Sequence, residues 1–247
     1  MENYFYEAFE GLTRQGPGSK ASTTKAISLL DLDRNKELNI LDIGCGTGAH
    51  TVLLTEGFPH AHITAIDTNE SSLSSLKEML QEKGLENRVT VQNASMFELD
   101  FPPETFDLIW SEGSIYIIGF QQGLERWKPF LKQGGYLACS EISWLHENPS
   151  EASKSFWEEG YPGMDTISNK INQITGVDYK LNYSFVLPKS DWIEEYYNPL
   201  ESSLQKLEAK YKDNSEALSV VEMIRQEISL YHHHFNDYSY VFYGMQK

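Results

Sequence analysis

Residues 38–48, Leu-Asn-Ile-Leu-Asp-Ile-Gly-Cys-Gly-Thr-Gly, decide the fold of this chain. The apolar start predicts a buried strand with an acid, Asp42, near its end, and the glycines after it predict a tight turn. Glycine allows the backbone to approach a ligand where a Cβ would clash. Residues 49–57 have a helical pattern, and the first N–H groups of such a helix point toward the turn without partners. The stretch therefore predicts a site for a nucleotide-like ligand on an α/β sheet.

The identity of that ligand depends on Asp42. The spacing Gly44-x-Gly46-x-x-Ala49 also satisfies the dinucleotide fingerprint, so the glycines alone leave an NAD-dependent oxidoreductase open. A carboxylate at the mouth of the turn would repel a pyrophosphate but attract an amine or a sulfonium. S-adenosylmethionine (SAM) carries both of these cations. The stretch resembles the first motif of class I SAM-dependent methyltransferases; the alternative is a solvated Asp42 beside a plain tight turn.

The next predicted strand extends this resemblance. Residues 62–66 are apolar or β-branched at most positions and end at Asp67, which is followed by Thr68. A carboxylate at this point can accept hydrogen bonds from both hydroxyls of a ribose. The alternative is that Asp67 only caps the helix that follows.

Two later motifs complete the resemblance, which covers roughly residues 36–143. After a third predicted strand, Ser95 and Met96 match by position the family's residues beside the adenine, although Asn93 stands where an Asp is common. Residues 106–109, Phe-Asp-Leu-Ile, have the pattern of the family's fourth strand. As a set, these motifs imply a SAM-dependent methyltransferase.

The resemblance implies a cofactor site at the carboxyl edge of the sheet. An N-terminal loop would fold over the cofactor, and Arg14 in that loop would face the methionine carboxylate; a plain linker with a solvated Arg14 is the alternative. The predicted cofactor-binding residues are Arg14, Gly18, Asp42, Gly44, Cys45, Gly46, Gly48, Asp67, Thr68, Ser95, Met96 and Ser111.

Methyl transfer is an in-line displacement that requires alignment and the exclusion of water, and it needs no metal. Glu112 and His146 are the predicted bases; alternatively, Glu112 binds the cofactor amine or caps a helix, and His146 is a surface residue. No metal site is predicted, because the side chains of His232–His234 would point about 100° apart on a helix. The predicted substrate contacts are Tyr116, Trp144, Trp192 and Tyr196.

The predicted architecture is one α/β domain over residues 1–247, a Rossmann-like seven-stranded methyltransferase sheet with helices on both faces. The last strand, near residues 238–243, is expected to be antiparallel, as in the family. A helical segment over residues 188–236 separates the last predicted strand from the strand before it, and a connection of this length is uncommon unless it carries function or a structure of its own. We expect it to cap the active site, and core packing or a dimer interface are the alternatives. The predicted parts are an N-terminal helical segment (1–35), a cofactor-binding core (36–148) and a helical cap (188–236).

The composition limits the classes of partner that this chain can bind. A net charge of −16 over 247 residues argues against nucleic acid, whose phosphates require clustered Lys and Arg. Only two cysteines, no basic and apolar leader and no long apolar run predict a cytoplasmic protein without a membrane partner. We expect a small-molecule substrate, and a homodimer is left open. Because cofactor motifs indicate binding and not turnover, a SAM-binding regulatory protein without catalysis also stays open.

Overall fold

A mostly parallel β-sheet runs through the centre of the computed structural model, which describes residues 2–247. Its strands are β1 (Asn39–Ile43), β2 (His62–Asp67), β3 (Val89–Asn93), β4 (Phe106–Glu112), β5 (Leu131–Trp144), β6 (Asp165–Thr166), β7 (Lys180–Val186) and β8 (Tyr238–Gln246). Across the sheet their order is β3-β2-β1-β4-β5-β8-β7, and the two-residue β6 pairs with the end of β5 outside this path.

The pairing confirms the predicted seven-stranded sheet, to which the short β6 is an addition. Strands β1 to β5 pair in parallel, whereas β8 is antiparallel to both of its neighbours, β5 and β7. The chain builds outward from β1 to β3 on one side and then returns to β4 on the other. Ligands bind at such a switch point, outside the carboxyl ends of the strands.

Helices surround the sheet, and their ends follow from local sequence. Asn69 accepts a hydrogen bond from the Ser72 N–H and caps α4, and Gly84, with φ of 65°, ends it. A π-helical turn, Ile193–Tyr197, joins α8 to α9. The helices are α1 (Glu2–Phe9), α2 (Lys20–Ser28), α3 (Ala49–Gly57), α4 (Glu70–Lys83), α5 (Phe120–Trp127), α6 (Glu151–Gly160), α7 (Ile167–Gly176), α8 (Lys189–Trp192), α9 (Asn198–Lys210) and α10 (Ser215–His234).

The core has three parts. Successive strand residues point to opposite faces, so Ile40 packs into the cluster on one face of the sheet and Leu41 into the cluster on the other. A third, aromatic cluster joins α1 to the helices between β7 and β8, with Trp192 and Tyr231 at its centre. The predicted helical insertion is therefore present and packs against the N-terminal helix. Among residues 2–247, no helix has both the length and the apolarity to cross a membrane.

Candidate active site

The glycine turn after β1 requires glycine for two physical reasons. Gly44, Gly46 and Gly48 have φ of 72°, 51° and 91°, in the left-handed region that disfavours other residues. A Cβ on Gly44 would lie 2.5 Å from the Ser114 Oγ, and a Cβ on Gly48 would overlap the Leu76 side chain. A Cβ on Gly46, by contrast, would make only an ordinary contact, 3.6 Å from the Gln15 Oε1, and Gly46 lines the cavity. The turn is therefore packed from behind and open in front.

Asp67 ties this turn to the next helix. One carboxylate oxygen accepts the Gly46 N–H at 2.9 Å, and the other accepts the Asn69 N–H at 2.9 Å. Each oxygen retains a second acceptor site, and Asp67 borders the cavity in front of the turn. Asp67 thus lies at the edge of the cavity and also contacts Asn69, the residue that caps α4, while its binding of a ribose stays a prediction.

Asp42 lies behind the cavity. Its fully buried carboxylate contacts the His50 Nε2 at 3.1 Å and accepts the Thr51 hydroxyl at 2.6 Å. The expectation that Asp42 itself faces a cationic ligand is therefore corrected, because His50 stands at the cavity wall instead. Burial disfavours the charged imidazole, but the carboxylates of Asp42 and then Glu112 outweigh it and raise the pKa of His50.

Arg14 and Glu112, predicted to act separately, pair with each other. The Arg14 Nη1 donates to the Glu112 Oε1 at 2.7 Å, and Nη2 donates to the Thr23 Oγ1 at 3.1 Å. The Thr23 hydroxyl also lies 3.0 Å from both Glu112 oxygens. We call these three residues the N-terminal clasp, because they fix the segment after α1 to the end of β4. A base whose oxygens are held by these donors is poorly placed to accept a proton from a substrate.

One cavity of about 940 Å³ lies in front of these residues. The predicted cofactor residues in its wall are Arg14, Gly44, Cys45, Gly46, Asp67, Thr68, Ser95 and Met96. The others support the wall from behind: a Cβ on Gly18 would meet the clasp, and the buried Ser111 contacts the Ser114 Oγ at 2.8 Å. Those supporting residues are Gly18, Asp42, Gly48 and Ser111.

The same cavity continues into an aromatic chamber, defined by Phe9, Tyr116, Trp157, Tyr161, Trp192, Tyr196 and Tyr240. Tyr116 and Tyr161 meet edge to face with ring centroids 5.8 Å apart. Helix α10 adds Met223, Ile224 and Glu227 to the wall. The predicted residues Tyr116, Trp192 and Tyr196 are therefore brought together, although the buried Trp192 also stacks on Tyr231 at 4.3 Å as part of the core.

Trp144 and His146 lie elsewhere. Trp144 packs against the edge of Tyr238, with ring centroids 6.3 Å apart. The His146 Nε2 lies 3.2 Å from the Asp237 Oδ1, in a group that also contains the Ser150 and Ser153 hydroxyls. Neither side chain borders the cavity, which corrects the expectation that His146 is a base and that Trp144 contacts the substrate.

Sequence reasoning missed a buried pair behind the chamber. The Glu141 Oε1 accepts both the Tyr161 hydroxyl and the Lys170 ammonium, each at 2.7 Å. Burial raises the pKa of Glu141, against the opposing effect of Lys170. The pair could not be predicted, because no sequence spacing links Glu141 to a lysine on α7.

Sequence reasoning also missed Glu227, for which a signal does exist. It falls between Ile224 and Tyr231 on the apolar stripe of α10, where the helical period calls for an apolar residue. An acid within such a stripe indicates that its carboxylate serves a function inside the fold.

Comparison with known proteins identifies the family. The sequence model described as "Methyltransferase domain" matches residues 34–203. The chain belongs to this methyltransferase family. A malonyl-[acyl-carrier protein] O-methyltransferase of Paenibacillus sp. (strain JDR-2) is 26% identical over 192 residues, which is 74% of this chain and 69% of that protein.

Solved structures share the fold. A SAM-dependent methyltransferase from Geobacter sulfurreducens, in complex with S-adenosyl-L-homocysteine, superposes with a TM-score of 0.84 at 16% identity over 99% of this chain and 98% of that one. The [4+2]-cyclase SpnF superposes with a TM-score of 0.74 at 18% identity over 92% of this chain and 81% of that one. The predicted class is confirmed: the protein is a SAM-dependent methyltransferase with a Rossmann-like sheet.

Proposed function

We propose that this methyltransferase acts on a small organic molecule that binds in the aromatic chamber. The observation that carries the proposal is the continuity of one cavity from the glycine turn and Asp67 to Tyr116 and Tyr196. A donor held at the turn and an acceptor held in the chamber would share one continuous space. SAM supplies an electrophilic methyl group, and the protein's task is then to align the acceptor and exclude water.

The residues at the turn fit SAM. Gly46 lines the cavity just before α3, whose first N–H groups have no partner within the helix, and Asp67 retains two acceptor positions for a ribose. Met96 and Ser95 offer one apolar and one polar contact beside them. We assign these residues to the donor. Arg14 borders the same space, but its guanidinium is paired with Glu112. We therefore assign Arg14 the role of holding the N-terminal segment over the cavity, and not a contact with the donor.

The helical insertion is proposed as a cap. Its helix α10 and the N-terminal helix α1 both contribute to the chamber wall, which the loops after the strands would otherwise leave open. A dimer interface on the outer face of the insertion is the second outcome to test. A homodimer and a cytoplasmic location stay predictions.

Two measurements test this proposal. Calorimetry should detect binding of SAM and S-adenosylhomocysteine but not NAD, and labelled SAM with a fractionated metabolite extract should yield a labelled small molecule. Tyr116→Ala should abolish labelling while SAM still binds; Val186→Ala, exposed on β7 away from the cavity, is the matched control. Labelled protein or RNA in place of a small molecule would overturn the proposal.

A further inference from the structure

Glu227 is an acid in an otherwise apolar part of the fold. Val220, Ile224 and Tyr231 on the same side of α10 are buried, and Glu227 continues their spacing. It is partly buried and borders the cavity beside the aromatic chamber. The position would stabilise the core more if it were apolar, so its acid calls for an explanation.

The carboxylate of Glu227 has an incomplete set of partners. The Tyr197 hydroxyl donates to its Oε1 at 3.0 Å, and no other hydrogen bond or ion pair reaches Glu227 from residues 2–247. Burial raises the pKa of Glu227, and the Tyr197 hydrogen bond opposes this only in part. The Oε2 is thus left available to a donor from within the cavity.

Three tyrosines, Tyr116, Tyr196 and Tyr240, line the same cavity as this carboxylate. Burial raises the pKa of Tyr116, Tyr196 and Tyr240, and the nearby Glu227 charge raises each further. None of the three hydroxyls has a hydrogen-bond partner in the part of the chain that the structure describes. The chamber therefore combines a carboxylate, free hydroxyl oxygens and the electron-rich faces of aromatic rings.

The part of the cavity wall that the structure describes holds no unpaired basic side chain. Within the described cavity wall, the basic side chains are Arg14, which pairs with Glu112, and His50, which contacts Asp42. Arg225, on the same helix, is engaged by Glu201 and Glu208. A positive charge that reaches Glu227 has to come from a ligand.

We infer that the chamber recognises its substrate by a cationic nitrogen, an amine or a quaternary ammonium, with Glu227 as the residue that sets this specificity. The inference rests on the proposed function, because it names the chemical class of the molecule in that chamber. A carboxylate within an aromatic wall attracts a cation through both its charge and the ring faces. It repels an anion, so a malonyl group, which carries a carboxylate, fits this chamber poorly.

Isosteric probes test the inference without knowledge of the natural substrate. Choline and 3,3-dimethyl-1-butanol have the same shape and differ in charge, and 2-phenylethylamine and 2-phenylethanol form a second, larger pair. Binding of each to the protein saturated with S-adenosylhomocysteine is measured by calorimetry for wild type, Glu227→Gln and Glu222→Gln. The last variant removes an acid from the exposed side of the same helix and is the matched control.

We expect wild type and Glu222→Gln to bind the cation at least about tenfold more tightly than its neutral partner in one pair or both. Glu227→Gln should reduce that preference to less than about threefold and leave S-adenosylhomocysteine binding unchanged. Equal binding within both pairs in wild type, or no binding of any probe, overturns the inference, as does a preference that survives Glu227→Gln. Failure of S-adenosylhomocysteine itself to bind wild type would instead overturn the proposed function.

Discussion

Replacing Glu112 by glutamine separates two roles for this residue. The N-terminal clasp predicts that Glu112 holds the segment around Arg14 closed over the cavity, whereas a base would act only during turnover. Arg14 and Glu112 form a buried ion pair, because their side chains are only 10% and 3% exposed, respectively. Residues 13–17 border the cavity, so loosening the pair should weaken ligand binding.

The magnitude follows from the geometry. Breaking a buried ion pair from one side costs about 3–5 kcal/mol of unfolding free energy. Here the introduced amide can still meet the Thr23 hydroxyl, and the guanidinium of Arg14 can turn toward the open cavity. We therefore expect a loss of about 2–3 kcal/mol. If half of this acts on closure of residues 13–17, the closed fraction and the S-adenosylhomocysteine affinity fall about tenfold.

Calorimetry and thermal unfolding of Glu112→Gln measure both effects. Glu56→Gln is the matched control, because it breaks a second ion pair of the N-terminal segment, the one between Lys20 and Glu56. The side chains of this pair are 73% exposed for Lys20 and 54% exposed for Glu56. Such an exposed pair should contribute less than about 1 kcal/mol. Unchanged stability and unchanged S-adenosylhomocysteine affinity, together with a large loss of turnover, would refute the clasp and restore Glu112 as a base.

Three further predictions concern acids and bases at the cavity wall and behind it. Asp67→Ala should weaken SAM binding by about 1–3 kcal/mol, since it removes charge-assisted hydrogen bonds; unchanged affinity by calorimetry would remove Asp67 from the site. Because the pKa of His50 is raised above 6.5 in the folded state, its contribution to stability is complete below pH 6.5 and disappears as pH rises through the folded-state pKa. His50→Gln should therefore flatten this part of the stability profile in denaturant titrations, and an unaltered profile would contradict the assignment. Lys170→Met should cost about 3–5 kcal/mol because it leaves Glu141 buried without a cation. Lys170→Met with Glu141→Gln should recover most of that loss, and no recovery would argue against the pair.

The sequence predicted most of the fold because its signals were local. The glycine turn, the apolar strands and the two amphipathic helices before β8 each depend on spacing within one element, and each appears near its predicted bounds. The additional strand β6 has two residues, Asp165 and Thr166, which is too short for a periodic signal. β5 runs from Leu131 to Trp144, and its last two residues, Ser143 and Trp144, pair with β8 and lie outside the cavity wall.

The site was less predictable because its contacts join distant parts of the chain. Arg14 and Glu112 lie on different elements, and nothing in either local sequence indicates that they satisfy each other. Asp42 is adjacent to the turn in sequence, but His50 and Thr51 on the following helix draw its carboxylate inward. Glu227, unlike these residues, could have been predicted from local sequence, because a helical wheel of α10 places it on the apolar stripe.

The positions of Asp67 and Glu227 in the cavity relate the two carboxylates to the charge that moves during methyl transfer. An amine that binds as its ammonium form has to give a proton to water or to Glu227 before it can accept a methyl group; the neutral nitrogen then takes up the positive charge that leaves the sulfur of the sulfonium. Asp67 borders the part of the cavity assigned to the donor, and Glu227 borders the part assigned to the acceptor, where that charge would appear. A carboxylate already in place stabilises the charge without reorganisation. A substrate that carries a cationic nitrogen but is methylated on a hydroxyl would still depend on Glu227 for binding, so Glu227→Gln should raise KM for cationic substrates of either kind and should lower kcat most where the accepting nitrogen itself lies beside Glu227.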